Sequence, residues 1–500
     1  MSLATIIITP LELPEIRTNI AKFLDRSDLA QCLYVCRAWY ASFLPLVWST
    51  VSIHLNKRCP EVEALKSHSH LIRNLTYDFR PWRAYEPIHC RNVSTLHVYS
   101  DCYGSPVIAQ YDQLRQLSIT GSHEPRTGES TYWRPMNSFR NLSSLELKEV
   151  NIDSRSADDF WDLCTGLKSL SMRYTIIPRL LDKSIVFERL EKLVLGPMPG
   201  RMYEGLLEFI IQCPNLVYID WSGGGPESAD TFAKGVWPKL CELRIPNSIP
   251  SDKQLAQIVH GMQQVKSLNV QAREFGPLTL TALRSRFSSL RQLELQYGNY
   301  TKMGPSIIPE VFVSCPQLEI LIMGEVTSEE LLQEQPWVCE RTLRTLHACI
   351  ILSPREDMDH QQQLVLEKIS RRLCHLEDFS LLYSAPGRDV TCINATLGKG
   401  LEHLANLKKL RRLGLKSRSN RMTKADVEWM LDNLKNLEFV RGDLNFQSGD
   451  SMSLATMIRK RGFSIEGSML QRNPDDPIPP TEALVDNNSW KATGWTDIVI

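Results

Sequence analysis

Residues 213–221 (CPNLVYIDW) and 315–323 (CPQLEILIM) share one pattern: a proline that cannot continue a helix, then apolar-x-x-apolar-x-apolar. The last two apolar residues of each triplet are separated by one residue, which is strand periodicity. It sends Ile219 and Trp221, or Leu321 and Met323, to one face of an extended segment. Working outward, the same triplet recurs about fifteen times along the chain, and a repeat of this period decides the architecture. It runs backward through Leu190, Leu193, Leu195 and Leu142, Leu145, Leu147 to Ile72, Leu75, Tyr77. It runs forward through Leu343, Leu346, Ala348 to Leu410, Leu413, Leu415, with a degraded copy at Leu437 and Val440. Between Leu142 and Leu343 the first positions are 23 to 28 residues apart.

Helix-like stretches fill the intervals, for example 205–212, 255–263 and 427–434, whose apolar residues recur at three and four. One strand plus one helix cannot bury its apolar face alone, so consecutive units must stack. The pattern therefore predicts an α/β solenoid over residues 56–465, a horseshoe with a parallel strand ladder inside and helices outside. The units resemble the cysteine-containing class of leucine-rich repeats, although the asparagine of the common consensus is missing from most copies. Residues 121–137, 353–363 and 384–399 break the rhythm and are expected to form loops on the rim, where binding residues often sit. A closing helix is expected at 451–461. The tail 471–500 is rich in Pro, Asp and Asn with isolated Trp490 and Trp495, and is expected to be disordered.

Lys plus Arg and Asp plus Glu both number 57, so no overall charge marks the chain for nucleic acid or an anionic membrane. No apolar run approaches the roughly 18 residues of a transmembrane helix. The 13 cysteines form no C-x-x-C pair, which points to reduced, mostly buried thiols rather than a disulfide framework or a zinc ribbon. The cluster His89, Cys90, His97, Cys102 has ligand types but no zinc spacing, so no metal and no cofactor are expected. Residues 1–10 lack the basic start of a secretory signal, so a cytoplasmic or nuclear location is expected. Phosphate-loop, metalloprotease, serine-hydrolase and kinase signatures are absent, and no enzymatic role is expected.

Residues 11–55 read differently. Leu13, Pro14, Glu15, Ile16 open a helix with Ile16, Ile20, Phe23 and Leu24 on one face, and Pro14 suits a first helical turn. Asp28 then precedes a second helix carrying Leu29, Cys32, Leu33, Val35, Cys36 and Trp39, expected to end at Pro45. The order Leu13-Pro14-x-Ile16, Ile20, Leu24, Asp28-Leu29, Cys32, Val35-Cys36-Arg37-x-Trp39, Pro45, Trp48 resembles an F-box. The resemblance implies a small helical module that binds the adaptor subunit of SCF-type cullin ubiquitin ligases, with Leu13, Pro14, Ile16, Leu29, Val35 and Trp39 as contacts. An F-box followed by leucine-rich repeats resembles the substrate receptors of such ligases, in which the repeats hold a protein substrate and other subunits perform the chemistry.

On the inner ladder the residues between the apolar positions point away from the core and are the expected recognition surface. Tyr218, Asp220, Arg244, Ile320 and Ile322 stand out, Tyr218 because tyrosine is enriched at binding hot spots. The basic run from Lys408 to Lys424 places Arg412 and Lys416 on a strand, where an acidic or phosphorylated segment could pair with them. Two other classes compete: a repeat scaffold whose N-terminal helices merely cap the solenoid, and a regulator of small GTPases.

Overall fold

The computed structural model describes residues 10–54, 59–78, 88–99, 108–121, 133–152, 154–177, 185–197, 203–222, 228–235, 237–303, 307–354, 357–382, 392–415, 423–441 and 464–466. Lys416, the expected helix at 451–461 and the tail 471–500 lie outside them.

Three short helices come first: α1 (Pro14–Ala21), α2 (Arg26–Cys32) and α3 (Arg37–Ser49). The expected second helix is thus two. Asp25, not Asp28, caps α2 by accepting from the Asp28 amide at 2.8 Å, and the chain turns through 33–36 before α3. Pro45 does not end the helix but lies within α3. The missing N–H and ring clash cost about 3 kcal/mol in a helix interior. Burial of Phe43, with Trp39 packed 5.3 Å from it, works against that cost.

The described residues then form one ladder of 17 strands. They are β1 (Thr50–Ile53), β2 (Asn74–Asp78), β3 (Thr95–Tyr99), β4 (Gln116–Thr120), β5 (Ser144–Lys148), β6 (Ser169–Arg173), β7 (Lys192–Leu195), β8 (Tyr218–Trp221) and β9 (Glu242–Ile245). The ladder continues with β10 (Ser267–Phe275), β11 (Gln292–Met303), β12 (Ile320–Thr327), β13 (Thr345–Ile351), β14 (Asp378–Leu381), β15 (Arg412–Leu415), β16 (Phe439–Arg441) and β17 (Ser464–Glu466). Each pairs in parallel with the next, and the middle apolar position of each triplet stacks on its equivalent: Leu145 on Leu170, Leu170 on Leu193, Leu193 on Ile219, Ile219 on Leu243, Leu243 on Leu268. The ladder starts one rung before Ile72, Leu75, Tyr77, because Val51 and Ile53 of β1 are buried and pair with Leu75 and Tyr77.

Helices pack against the apolar face, and several bind their neighbours through their first turns. Ser251 and Gln254 form a reciprocal capping box on the helix Asp252–Gly261. The Asp252 carboxylate reaches into the next unit and accepts from the amides of Gly276, Leu278 and Thr279 at 3.0, 3.1 and 2.9 Å. Desolvation would raise its pKa, but the hydrogen bonds from Thr279 and the neighbouring amides win and hold it below the usual value.

A polar residue just before the first apolar position often reaches back one turn. The Asn92, Asn215 and Asn436 side chains donate to the carbonyls of His70, Glu188 and Lys408 at 2.6, 2.8 and 2.6 Å. Ser289 and Thr342 do the same to Val265 and Pro316 at 3.0 and 3.1 Å. Cys164, in the last turn of the helix Ala157–Thr165, and Cys213 and Cys315, just after helices, are fully buried, and burial drives their thiols up, Cys315 to about 12.

Of the stretches expected as rim loops, 353–363 is partly helical, since the helix Met358–Arg372 begins inside it. Cys392 in the third stretch pairs antiparallel with Ile351, with its Sγ 3.6 Å from that of Cys349.

Candidate functional sites: the N-terminal helical face and the open face of the ladder

The first site is built by α1 to α3. Leu13 is the N-cap of α1 and makes no side-chain cap, so its side chain stays out: Leu13 is 42% exposed and Ile16 36%. Val35, in the turn between α2 and α3, is 60% exposed. Pro14 is exposed, while Leu29 and Trp39 are half-buried. Around them Phe23 at 88% and Tyr34 at 86% are the most exposed large apolar side chains among the described residues. The spacing puts Phe23 on one helical face with Ile16, Ile20 and Leu24. It lies instead in the turn after the helix, where its amide bonds the Ile20 carbonyl. Of the fifteen large apolar side chains that are exposed among the described residues, seven fall between Leu11 and Tyr40, so their exposure is concentrated where the chain is least able to bury it.

This module is anchored on the ladder. Trp48 at the end of α3 stacks on His68 with centroids 4.5 Å apart and planes at 6°. The Arg73 amide bonds the Ser49 carbonyl at 2.9 Å, and the Asn74 side chain donates to Thr50 at 3.1 Å. The module therefore continues into the first rung and presents its remaining surface outward.

The second site is the ladder face turned away from the helices. Its central row runs Val194, Asp220, Arg244, Asn269, Glu294, Ile322, His347, Ser380 in strand register. The expectation that this row is open needs correction: Asp220 and Val194 are 8% exposed, Ile322 7% and Asn269 3%. Alternation fixes which face a side chain takes, but long neighbours on adjacent strands decide how much water reaches it. Tyr218, Arg244 and Ile320 are half-buried and Arg412 is exposed.

Charges on this face are mostly engaged. Arg244 Nε lies 3.9 Å from Asp220 Oδ2, and the Lys192 ammonium sits 5.0 Å from the Tyr218 ring centroid. Burial pushes the Asp220 carboxyl above its ordinary value, against the pull of Arg244, Arg173 and Lys192. Burial, with Asp220 adding to it, pushes the Tyr218 hydroxyl to about 12. Asn269 and Gln292 both donate to Glu294.

Further along, His347 Nε2 donates to Asp378 at 2.9 Å. The other Asp378 oxygen is 3.8 Å from Arg412, whose guanidinium lies 5.6 Å over the Phe439 ring. Ser380 lies opposite His347 in register, which brings Ser, His and Asp together. His347 is 1% and Ser380 3% exposed, so this cluster is closed to a substrate.

Among the described residues no group of three or more His, Cys, Asp or Glu could hold a metal ion. None of their helices is long and apolar enough to cross a membrane.

Comparison with known proteins gives two findings. Residues 14–54 match the F-box-like family. A solved leucine-rich-repeat protein of Leptospira interrogans is similar at 16% identity and a TM-score of 0.38, over 83% of this chain and 100% of that one. A search of curated proteins finds no match. An F-box-like segment thus precedes a solenoid of stacked strand-and-helix units, and F-box-like domains are generally non-catalytic interaction modules.

Proposed function

We propose that this chain is the substrate-recognition subunit of an SCF-type cullin ubiquitin ligase. Residues 11–55 dock on the adaptor subunit, and through it on a cullin, while residues 56–465 hold a protein substrate. The observation that carries this reading is the concentration of exposed apolar side chains inside the segment that matches an F-box-like domain. Such domains generally bind these adaptors. Leu13, Pro14, Ile16 and Val35 supply the exposed contacts, Leu29 and Trp39 support them from below, and Phe23 and Tyr34 extend the surface.

The ladder contributes position rather than chemistry. Holding a substrate at a fixed distance from the ligase raises the effective concentration of its lysines near the transferred ubiquitin. Tyr218, Arg244, Ile320 and Arg412 are the contacts within reach of a partner, and Asp220 and Ile322 hold them from beneath. Arg412 is already near Asp378, so an acidic segment binding there must displace an existing ion pair; Lys416 would be its second anchor. The protein acts in the cytoplasm or nucleus, where cullin ligases work.

A second reading makes the helices a cap for a pure interaction scaffold. The stacking of Trp48 on His68 and the pairing of β1 with β2 favour it. Capture of purified SCF adaptor by the full chain separates the two. Binding that falls at least tenfold on Leu13→Ala combined with Pro14→Ala supports the ligase reading. No binding by the unmutated chain supports the scaffold.

A further inference from the structure

The most buried residue of α1 is not one of its isoleucines but Arg17, at 5% exposure. Its Nε and Nη1 are shielded from water and have no hydrogen-bond partner. An arginine cannot relieve this by giving up its proton, since the guanidinium stays charged in proteins. A buried cation without an anion is among the costliest arrangements a fold can hold, and it persists where a partner completes it. Among the described residues no carboxylate pairs with it.

Its position says where the missing anion enters. Arg17 follows Leu13 by four residues and Pro14 by three, so all three share one stripe of the helix. Helical side chains lean toward the N-terminus, which carries the long arginine stem toward the turn of Leu13 and Pro14, the exposed end of the module. The N-terminus of α1 lacks a side-chain cap, but the Glu15 carboxylate in its first turn offsets the helix dipole, so the attraction for an anion there comes from Arg17 itself.

We infer that docking brings a carboxylate of the adaptor subunit onto Arg17, so that the interface is an apolar contact closed around one ion pair. This rests on the adaptor-docking reading and adds to it the chemistry of the partner: an acidic side chain or chain terminus set within an apolar surface. The pair forms only in the complex, which makes Arg17 a cost to the free protein and a gain to the bound one.

The test is a titration of the full chain with purified adaptor at low and high salt, beside the melting temperature of the free chain. Arg17→Met should bind at least tenfold more weakly at low salt and lose most of its salt dependence, while the free chain melts at the same or a higher temperature. Arg17→Lys should recover part of the affinity. Single Asp→Asn and Glu→Gln changes across the adaptor should then identify one carboxylate whose loss has no further effect in the Arg17→Met background. Equal binding by Arg17→Met at both salts overturns the inference while leaving the docking reading intact. So does a lowered melting temperature with weakened binding and no coupled adaptor carboxylate. Failure of the unmutated chain to bind adaptor overturns both.

Discussion

The two regions of this molecule differ in how completely they bury what their sequences ask them to bury. In the ladder, Leu145, Leu170, Leu193, Ile219, Leu243 and Leu268 are at most 1% exposed, and helices such as Asp252–Gly261 and Pro277–Arg284 are capped by their own or a neighbouring unit. In α1 to α3 only Phe43 and Arg17 are buried, one apolar and one charged. A stacked repeat can always find its partner in the next repeat. A three-helix module at the end of the stack has one neighbour and too few residues to enclose a core, so its apolar surface is available to another protein.

Substitutions should therefore separate the regions by sign and by readout. The largest effect is expected in the ladder: Leu243→Ala removes a fully buried side chain between two rungs and should cost about 3 kcal/mol. Urea unfolding of the full chain checks it, and a loss below roughly 1 kcal/mol would show a looser core than the contrast requires. In the module, Val35→Ser should shift unfolding by less than about 0.5 kcal/mol, as surface changes do. Its adaptor affinity should nevertheless fall about tenfold, in the manner of an interface anchor. A large stability loss with unchanged binding would invert the comparison.

Asp252→Ala tests how units are tied together. Losing a carboxylate that serves three amides of the next helix should cost about 1 to 2 kcal/mol. The pH dependence has a definite sign. The folded-state pKa of Asp252 lies below 3.8, so its stabilisation is present above that value and fades as pH falls through the lowered folded pKa. Wild type and Asp252→Ala should converge in acid, and a constant difference from pH 7 to pH 2 would assign the effect elsewhere.

Asp220→Asn should give the smallest change, with the opposite sign. The folded-state pKa of Asp220 is raised by burial, so its ionised form is a burden at neutral pH that protonation relieves as pH falls through that pKa. The variant should match or slightly exceed wild type at pH 7, with any advantage vanishing in acid. A clear loss at pH 7 would mean that the contact with Arg244 outweighs desolvation.

The ladder was legible because its signal is periodic and redundant: a triplet seen many times fixes strand, face and register at once, and the in-register leucine rows follow from it. β1 was less so: Trp48, Val51 and Ile53 carry the same spacing, but Trp48 also closes the helical motif, which draws Val51 and Ile53 into it. Division of the second helix at 33–36 and the accommodation of Pro45 depend on packing around Phe43 and Trp39, which spacing does not encode. On this ladder face, alternation gave the side on which each residue lies but not its burial, so Asp220 and Ile322 looked more accessible than they are. The backward reach of Asn92, Asn215 and Asn436 had a readable signal in the asparagine before the first apolar position. The asparagine of the common repeat consensus stands at another position, and its absence from most copies does not bear on this one. Arg17 was hidden by its neighbours, since a helix face defined by Ile16, Ile20 and Leu24 does not suggest an arginine at the centre of the packing.

Hydrogen exchange of the full chain, alone and with purified SCF adaptor, tests the contrast between the two regions most directly. The account predicts rapid exchange across residues 13–40 in the free protein, strong protection there on adding adaptor, and no change in the rungs from β5 to β10. Protection of 13–40 already equal to that of those rungs in the free chain, or no response to the adaptor, would contradict it.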